Sequence, residues 1–297
     1  MTDWIVAIEG TEAGHRAAMV LALTAALLHA LFGALQKGRF DPWTSRTAID
    51  AALLVLSAPI ALFLVPWPPL HLWWVLVGTI VIHFTYKVLM AMTYERGAYT
   101  VVYPVVRGTG PLFTVLGAGI IFGERFTGAQ WLGVALLMAG LFGLSAYNMA
   151  KVTVDRATLM PALGLAVLTG LSVAIYTTWD AYGIRAVPDP FTFLAWFFFL
   201  TAFDFPILAA ARGKWRRPDP ALIRLGLTGA LIAFGSFGCV MLATRLDSVG
   251  EAAILRETST VFAALIGWVW LKEPVGPRRL ALMSLIALGA VVVEVGG

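Results

Sequence analysis

Runs of about twenty mostly apolar residues recur along this 297-residue chain. Ten such windows fall at roughly 16–36, 45–65, 70–95, 98–122, 127–148, 157–184, 191–211, 220–244, 249–271 and 276–295. A hydrocarbon core ~30 Å thick is crossed by about 20 helical residues, and inside it each backbone N–H and C=O must be satisfied within its own segment. The pattern therefore predicts an all-α integral membrane protein of ten transmembrane helices. Composition agrees: 60% of the residues are hydrophobic and 13% charged, with a mean hydropathy of +0.84, whereas a soluble domain carries roughly 25% charged residues. The breaks between runs hold stretches such as "VPWPPL", "FGERFTG", "AVPDP" and "RGKWRRPDP". None exceeds about a dozen residues, so no soluble domain is inserted and function is expected within the bundle.

Residues 1–15, "MTDWIVAIEGTEAGH", are acidic and lack the basic start and long apolar core of a signal peptide, so the first span is expected to be retained. The single cysteine, Cys239, lies in an apolar run and reads as a packing residue; it excludes a disulfide framework and a paired-cysteine metal or redox site. A net charge of +4 without a basic stripe does not point to nucleic acid. Of the 21 Lys and Arg, fourteen lie at the connections after spans 1, 3, 5, 7 and 9, four at the opposite ones (Arg16, Arg125, Arg185, Arg245) and three inside spans (Lys87, Arg107, Arg256). Positive charge concentrates on the cytoplasmic side, so both termini are expected on the outer, periplasmic side.

The chain also repeats itself. "VVRGTGPLFTVLGAGIIFGERFTG" (105–128) aligns with "ILRETSTVFAALIGWVWLKEPVG" (254–276). Arg107 precedes Glu124 by 17 residues, Arg256 precedes Glu273 by 17, and the same offset of 149 places Gly140 on Gly289. The halves are 1–148 and 149–297, five spans each, and an odd number of spans turns the second half upside down in the bilayer. Inverted repeats with a site between them are a transporter architecture.

Ten spans in two halves, each ending in an apolar helix, "GER" or "KEP", and a Gly-rich closing helix, resemble the EamA domain pair of the drug/metabolite transporter superfamily. The resemblance covers nearly the whole chain and is most specific at 98–143 and 247–290. It implies a carrier in the bacterial inner membrane with a central cavity between the halves, similar to exporters of amino acids and related metabolites.

A charge at the bilayer centre costs ~2.5–3.5 kcal/mol on insertion scales, so each one asks for a reason. Arg107 lies near mid-depth, ~14 Å into its span, and Arg256 ~10 Å into its own. Facing a wet cavity, they would meet a carboxylate or other anion; alternatively Glu257 pairs with Arg107 across the interface, and Asp180 or Asp204 neutralises the rest. In span 3, His83, Tyr86 and Lys87 fall near one helical face. His83 and Tyr86 are candidate cavity residues, whereas Lys87 either lines the cavity or snorkels to the cytoplasmic surface. In span 4, Tyr99, Tyr103 and Arg107 form one stripe, followed by Gly108, Gly110 and Pro111, where the helix can bend. Gly119 and Gly123 suit close helix packing. In span 6, Tyr176, Trp179 and Asp180 share a face, although Tyr182 and Trp179 also suit an interfacial aromatic belt. Asp180 suits a proton carrier, a partner for an amine, or a salt bridge. His29 and Asp204 are weaker candidates, and Glu124 and Glu273 at helix ends are assigned to capping.

The leading reading is a secondary transporter working by alternating access, exporting amino acids including aromatic ones. The arginines would hold the carboxylate, Asp180 or Glu257 the ammonium, and Tyr and Trp the side chain. Import of an organic anion is the alternative within that class. An intramembrane enzyme would need a nucleophile or metal set at depth, and no HExxH, GxSxG or paired intramembrane aspartate motif is present. A channel or scaffold is disfavoured by repeats carrying mid-span charges. No GxxxxGK[ST] loop supports ATP drive. No cofactor and no metal are expected: His83 has no second ligand at metal spacing on its helix. The expected partners are the small-molecule substrate and the bilayer, and the expected working unit is a monomer.

Overall fold

The computed structural model describes residues 3–36, 40–97, 99–150, 156–215, 217, 219–269 and 276–297, with side chains for all of these except 3, 34, 36, 99, 100, 156–158, 267 and 269. The described secondary structure is helical: α1 (Asp3–Ile8), α2 (Glu12–Gln36), α3 (Pro42–Pro59), α4 (Trp73–Arg96), α5 (Tyr99–Phe122), α6 (Gly128–Met149), α7 (Arg156–Arg185), α8 (Pro190–Thr201), α9 (Asp204–Ala211), α10 (Pro220–Leu246), α11 (Val249–Arg256), α12 (Ser259–Val269) and α13 (Pro277–Val295). A π-helical turn, Ile60–Leu64, extends α3, and a 3-10 turn, Leu70–Leu72, leads into α4.

Among the described residues, eight segments are long and apolar enough to cross a membrane, so the chain is a multi-pass membrane protein. The ninth and tenth of the expected spans are not among these eight, and the ninth, 249–271, runs past the described residues. The ninth run is not one helix but two, α11 and α12, interrupted at Glu257 and Thr258. The tenth, α13, has 19 residues and carries Arg278, Arg279 and Glu294.

Helix starts follow the local chemistry. Asp41, Asp189 and Asp219 each accept a backbone N–H as N-cap to a helix that opens on proline. Thr127 and Gln130 form a reciprocal capping box on α6. Through Pro104 and Pro111, α5 continues as one helix.

The core helices are α2, α4, α5, α7, α10 and the α11–α12 pair; α2 packs on α10 and on α11–α12, while α7 packs on α4 and α5. The offset of 149 carries α2 onto α7, α4 onto α10 and α5 onto α11–α12. Each pairing thus has its counterpart, which is the pattern a two-fold relation between the halves produces. The closing helices α6 and α13 pack on each other.

That last contact corrects the expected role of two glycines. Gly123 ends α5 at φ +70° with open space around it, and a Cβ on Gly119 would meet only the Glu124 carbonyl at 3.3 Å. Neither supports a helix pair. Close approach occurs instead between α6 and α13, where a Cβ on Gly289 would lie 2.6 Å from the Gly133 carbonyl oxygen and one on Gly140 2.5 Å from Ile286.

Candidate functional site

The interruption between α11 and α12 explains why Arg256 and Glu257 stand in an apolar run. In a regular helix the Thr260 N–H would reach the Arg256 carbonyl; here it turns to Glu257 O at 3.0 Å. The freed Arg256 carbonyl accepts from Arg107 Nη2 at 3.3 Å, and the same nitrogen donates to Ser259 Oγ at 2.8 Å. Arg107 Nε lies 2.8 Å from Glu257 Oε2. The Tyr103 ring lies 5.9 Å from the guanidinium carbon of Arg107. One arginine of the pair is therefore tied into the other half of the molecule by a carboxylate, a hydroxyl and a carbonyl.

Arg256 is not. Its Nε is 3.9 Å from Glu257 Oε1, and neither Nε nor Nη2 has a hydrogen-bond partner although both are buried. A buried guanidinium edge without partners is costly. Nearby, His83 Nε2 and Asp180 Oδ2 are 2.8 Å apart, and Asp180 Oδ1 is buried without a partner, as are the hydroxyls of Thr177 and Thr260. Arg256, Asp180, Thr177 and Tyr176 line one small cavity, closed on its other side by Phe237, Val240, Met241 and Thr244. Around His83 stand Tyr176 at 4.7 Å and Phe197 at 4.8 Å between ring centres, and Tyr86 lies 4.8 Å from Tyr176.

The cavity holds about 10 Å³, room for one water. This cavity is far smaller than a small metabolite. A second polar layer lies towards the basic end of the bundle. Between α8 and α9, Pro206 has no N–H to continue a helix, and the Phe205 N–H turns to Asp204 Oδ1 at 2.6 Å. The Thr201 carbonyl is left to accept from Lys87 Nζ at 2.5 Å. Lys87 also meets Asp50 at 2.9 Å and Asp204 at 3.0 Å, while Arg46 meets Asp50 at 2.7 Å. Lys87 therefore does not snorkel: it is 2% exposed and paired on all sides.

At the opposite end the connections are laced together. Glu124 accepts from Ser248 Oγ and from the Val249 and Gly250 N–H groups, capping α11 where the helix dipole favours an anion. Arg185 donates to the Thr244 and Asp247 carbonyls at 2.8 and 2.7 Å. His15 sits between Asp247 and Glu294, and Arg245 pairs with Glu9.

Of the residues singled out by sequence, the structure brings together His83, Tyr86, Tyr176 and Asp180, and beside them Tyr103, Arg107, Arg256 and Glu257. Trp179 stands apart: its indole donates to the Val75 carbonyl at 3.0 Å and packs on Trp74 and Tyr182, in space that only a glycine at 78 leaves open. Tyr99 opens α5, but its side chain, like Glu273, lies outside the described residues. His29 packs against Phe32 on its own helix. Sequence reasoning missed Asp50, Thr177, Ser259 and Thr260. For Asp50 a signal existed, Arg46 four residues earlier on the same helix; the three hydroxyl residues give none, because threonine and serine are common in apolar helices.

The profile of the EamA-like transporter family matches residues 16–146 and again 160–295. Uncharacterized protein PA1977 of Pseudomonas aeruginosa is 31% identical over 193 residues, covering 61% of this chain and 64% of that protein. A solved protein crystal structure superposes with a TM-score of 0.73 at 21% identity, over 93% of this chain and 97% of its own; at that identity the likeness concerns the fold.

Proposed function

Because the chain belongs to the EamA-like transporter family, we propose that it is a secondary carrier for zwitterionic metabolites, exporting amino acids, aromatic ones among them, by alternating access through the centre of the bundle. One observation carries the reading. Arg256, with Nε and Nη2 unpartnered, and Asp180, with Oδ1 unpartnered, line the same small cavity. A carboxylate fits the first, bidentate, and an ammonium the second. Tyr176 and Phe237 supply apolar walls for a side chain. A cavity of about 10 Å³ is too small for such a cargo, since ligand pockets run from ~300 Å³; the centre must open to load, which supports a moving carrier rather than a static pore. The charge bias of the connections supports a periplasmic position for both termini, with the carrier in the inner membrane.

Cells expressing the protein should resist toxic amino-acid analogues, including aromatic ones; unchanged sensitivity across a panel, with the protein present in the membrane, would count against export. Purified protein should be stabilised against heat by its amino acid but not by the N-acetyl derivative, which lacks the ammonium. Equal stabilisation by both would replace the zwitterion with an organic anion. Arg256→Gln removes a charge-assisted bond of ~1.5–3 kcal/mol, so apparent affinity should fall roughly ten- to a hundredfold.

A further inference from the structure

On the basic side of the molecule α3, α9 and α10 diverge and leave a cleft of about 650 Å³. Its floor is apolar and uncovered by protein: Val55 is 72% and Leu227 46% exposed, within segments that cross the membrane. The cleft reaches from Pro42 to Val55 along α3, ~20 Å of helix, against ~15 Å for one leaflet of hydrocarbon. Its depth is that of a single lipid chain.

The rim is polar and held in place. Arg212 lies 5.1 Å over the Trp43 ring, which stacks on Phe205. Gly213, at φ +62°, turns the chain so that the Lys214 N–H closes on the Ala209 carbonyl at 2.9 Å, fixing the end of α9. Two acids also reach the cleft, and both are engaged. Glu95 accepts from the Trp43 indole at 3.3 Å. Asp41 accepts the Trp43 and Thr44 N–H groups and the Thr44 hydroxyl; partial burial pushes its carboxyl up, but those hydrogen bonds outweigh it and hold it below the usual carboxylate range. Arg212 and Lys214 make no ion pair among the described residues. A rim with two cations that make no ion pair among the described residues, above an exposed apolar floor one leaflet deep, is complementary to one class of molecule.

We propose that this cleft binds one anionic phospholipid, its phosphate between Arg212 and Lys214 and an acyl chain along Val55, Leu208 and Leu227. A free anion would use the rim and leave the floor bare; a zwitterionic lipid would use the floor and gain little from the rim. The proposal is independent of what the central site carries.

The test is native mass spectrometry of the purified full chain in detergent, with phosphatidylglycerol, phosphatidylcholine or inorganic phosphate added separately. One phosphatidylglycerol should be retained per chain, well above phosphatidylcholine, with no retention of phosphate. Arg212→Gln with Lys214→Gln should weaken phosphatidylglycerol roughly thirtyfold, at about one kcal/mol per cation near the surface. Ala51→Trp, which fills the floor, should abolish retention while the protein stays monodisperse with an unchanged Tm. Equal retention of both lipids, or of phosphatidylglycerol by both variants, would overturn the site. So would a dimer that Ala51→Trp converts to monomer, since the cleft would then be covered by a second copy.

Discussion

At the scale of single residues, Arg107 and Arg256 correspond in sequence yet differ in partnership. Arg107 donates through Nη2 to Ser259 and to a freed carbonyl and forms a 2.8 Å ion pair with Glu257, whereas Arg256 has no hydrogen bond at Nε or Nη2 and lies 3.9 Å from the same carboxylate. Removing one member of a buried pair leaves the other uncompensated and costs ~3–5 kcal/mol. Glu257→Gln should therefore lower Tm most, with Arg107→Gln close behind. Arg256→Gln should leave Tm unchanged or raise it, because two of its buried nitrogens have no hydrogen-bond partner and its ion-pair contact with Glu257 is a long 3.9 Å. A fall in Tm for Arg256→Gln as large as for Glu257→Gln would make Arg256 a structural residue. Arg107→Gln with Glu257→Gln removes both members of the close pair and should recover stability relative to either single change, whereas Arg256→Gln added to Glu257→Gln should not, since Arg107 stays unpaired; full transport in Arg256→Gln with Glu257→Gln ends the assignment of Arg256 to substrate. Much of this centre was legible in the sequence, since charges and aromatic residues stand out in apolar runs. The pairing of Glu257 with Arg107 across the interface was one of two readings the sequence left open, and the structure shows that pair. Glu257 adjoins Arg256 in the chain, but the turn that breaks the helix there directs it to Arg107.

Elements show the same division between local and tertiary causes. The break before α9 is foreshadowed by Pro206, a residue that cannot donate to the preceding turn. No proline or glycine marks the break at Glu257 and Thr258; "RETST" would continue a helix, and the interruption is sustained by the Arg107 contacts from another helix. In both places a carbonyl released by the break receives a cation, Lys87 in one and Arg107 in the other. The glycines of "LGAGIIFG" looked like a packing motif because spacing alone cannot say whether a neighbouring helix is present. The contact lies instead between α6 and α13, so Gly289→Val should lower Tm through a clash with the Gly133 backbone, by about 1–3 kcal/mol of overpacking. Gly119→Ala should change it little. Thermal unfolding in detergent compares the two, and equal losses would restore the first reading.

For the whole molecule, orientation is the clearest expectation. A reporter active only in the cytoplasm, fused after Gly297, should stay silent, and one active only in the periplasm should respond; the reverse would invert the placement while leaving the helix packing as described. The repeat was visible from sequence through the offset of 149, and the small size of the cavity beside Arg256 was not, because a pattern of apolar residues does not report the space left between helices. The composition of that centre has a consequence for voltage. Counting guanidiniums and carboxylates alone, with the His83 imidazole beside Asp180 left aside, Arg107 and Arg256 against Glu257 and Asp180 give two positive and two negative formal charges. With an empty site of zero net charge and a zwitterionic cargo, neither the loaded nor the returning half of the cycle moves charge through the membrane. An imposed potential, worth ~2.3 kcal/mol per elementary charge per 100 mV, should then leave flux in proteoliposomes unaltered. A flux that follows the potential would instead count the ions that travel with each cargo molecule.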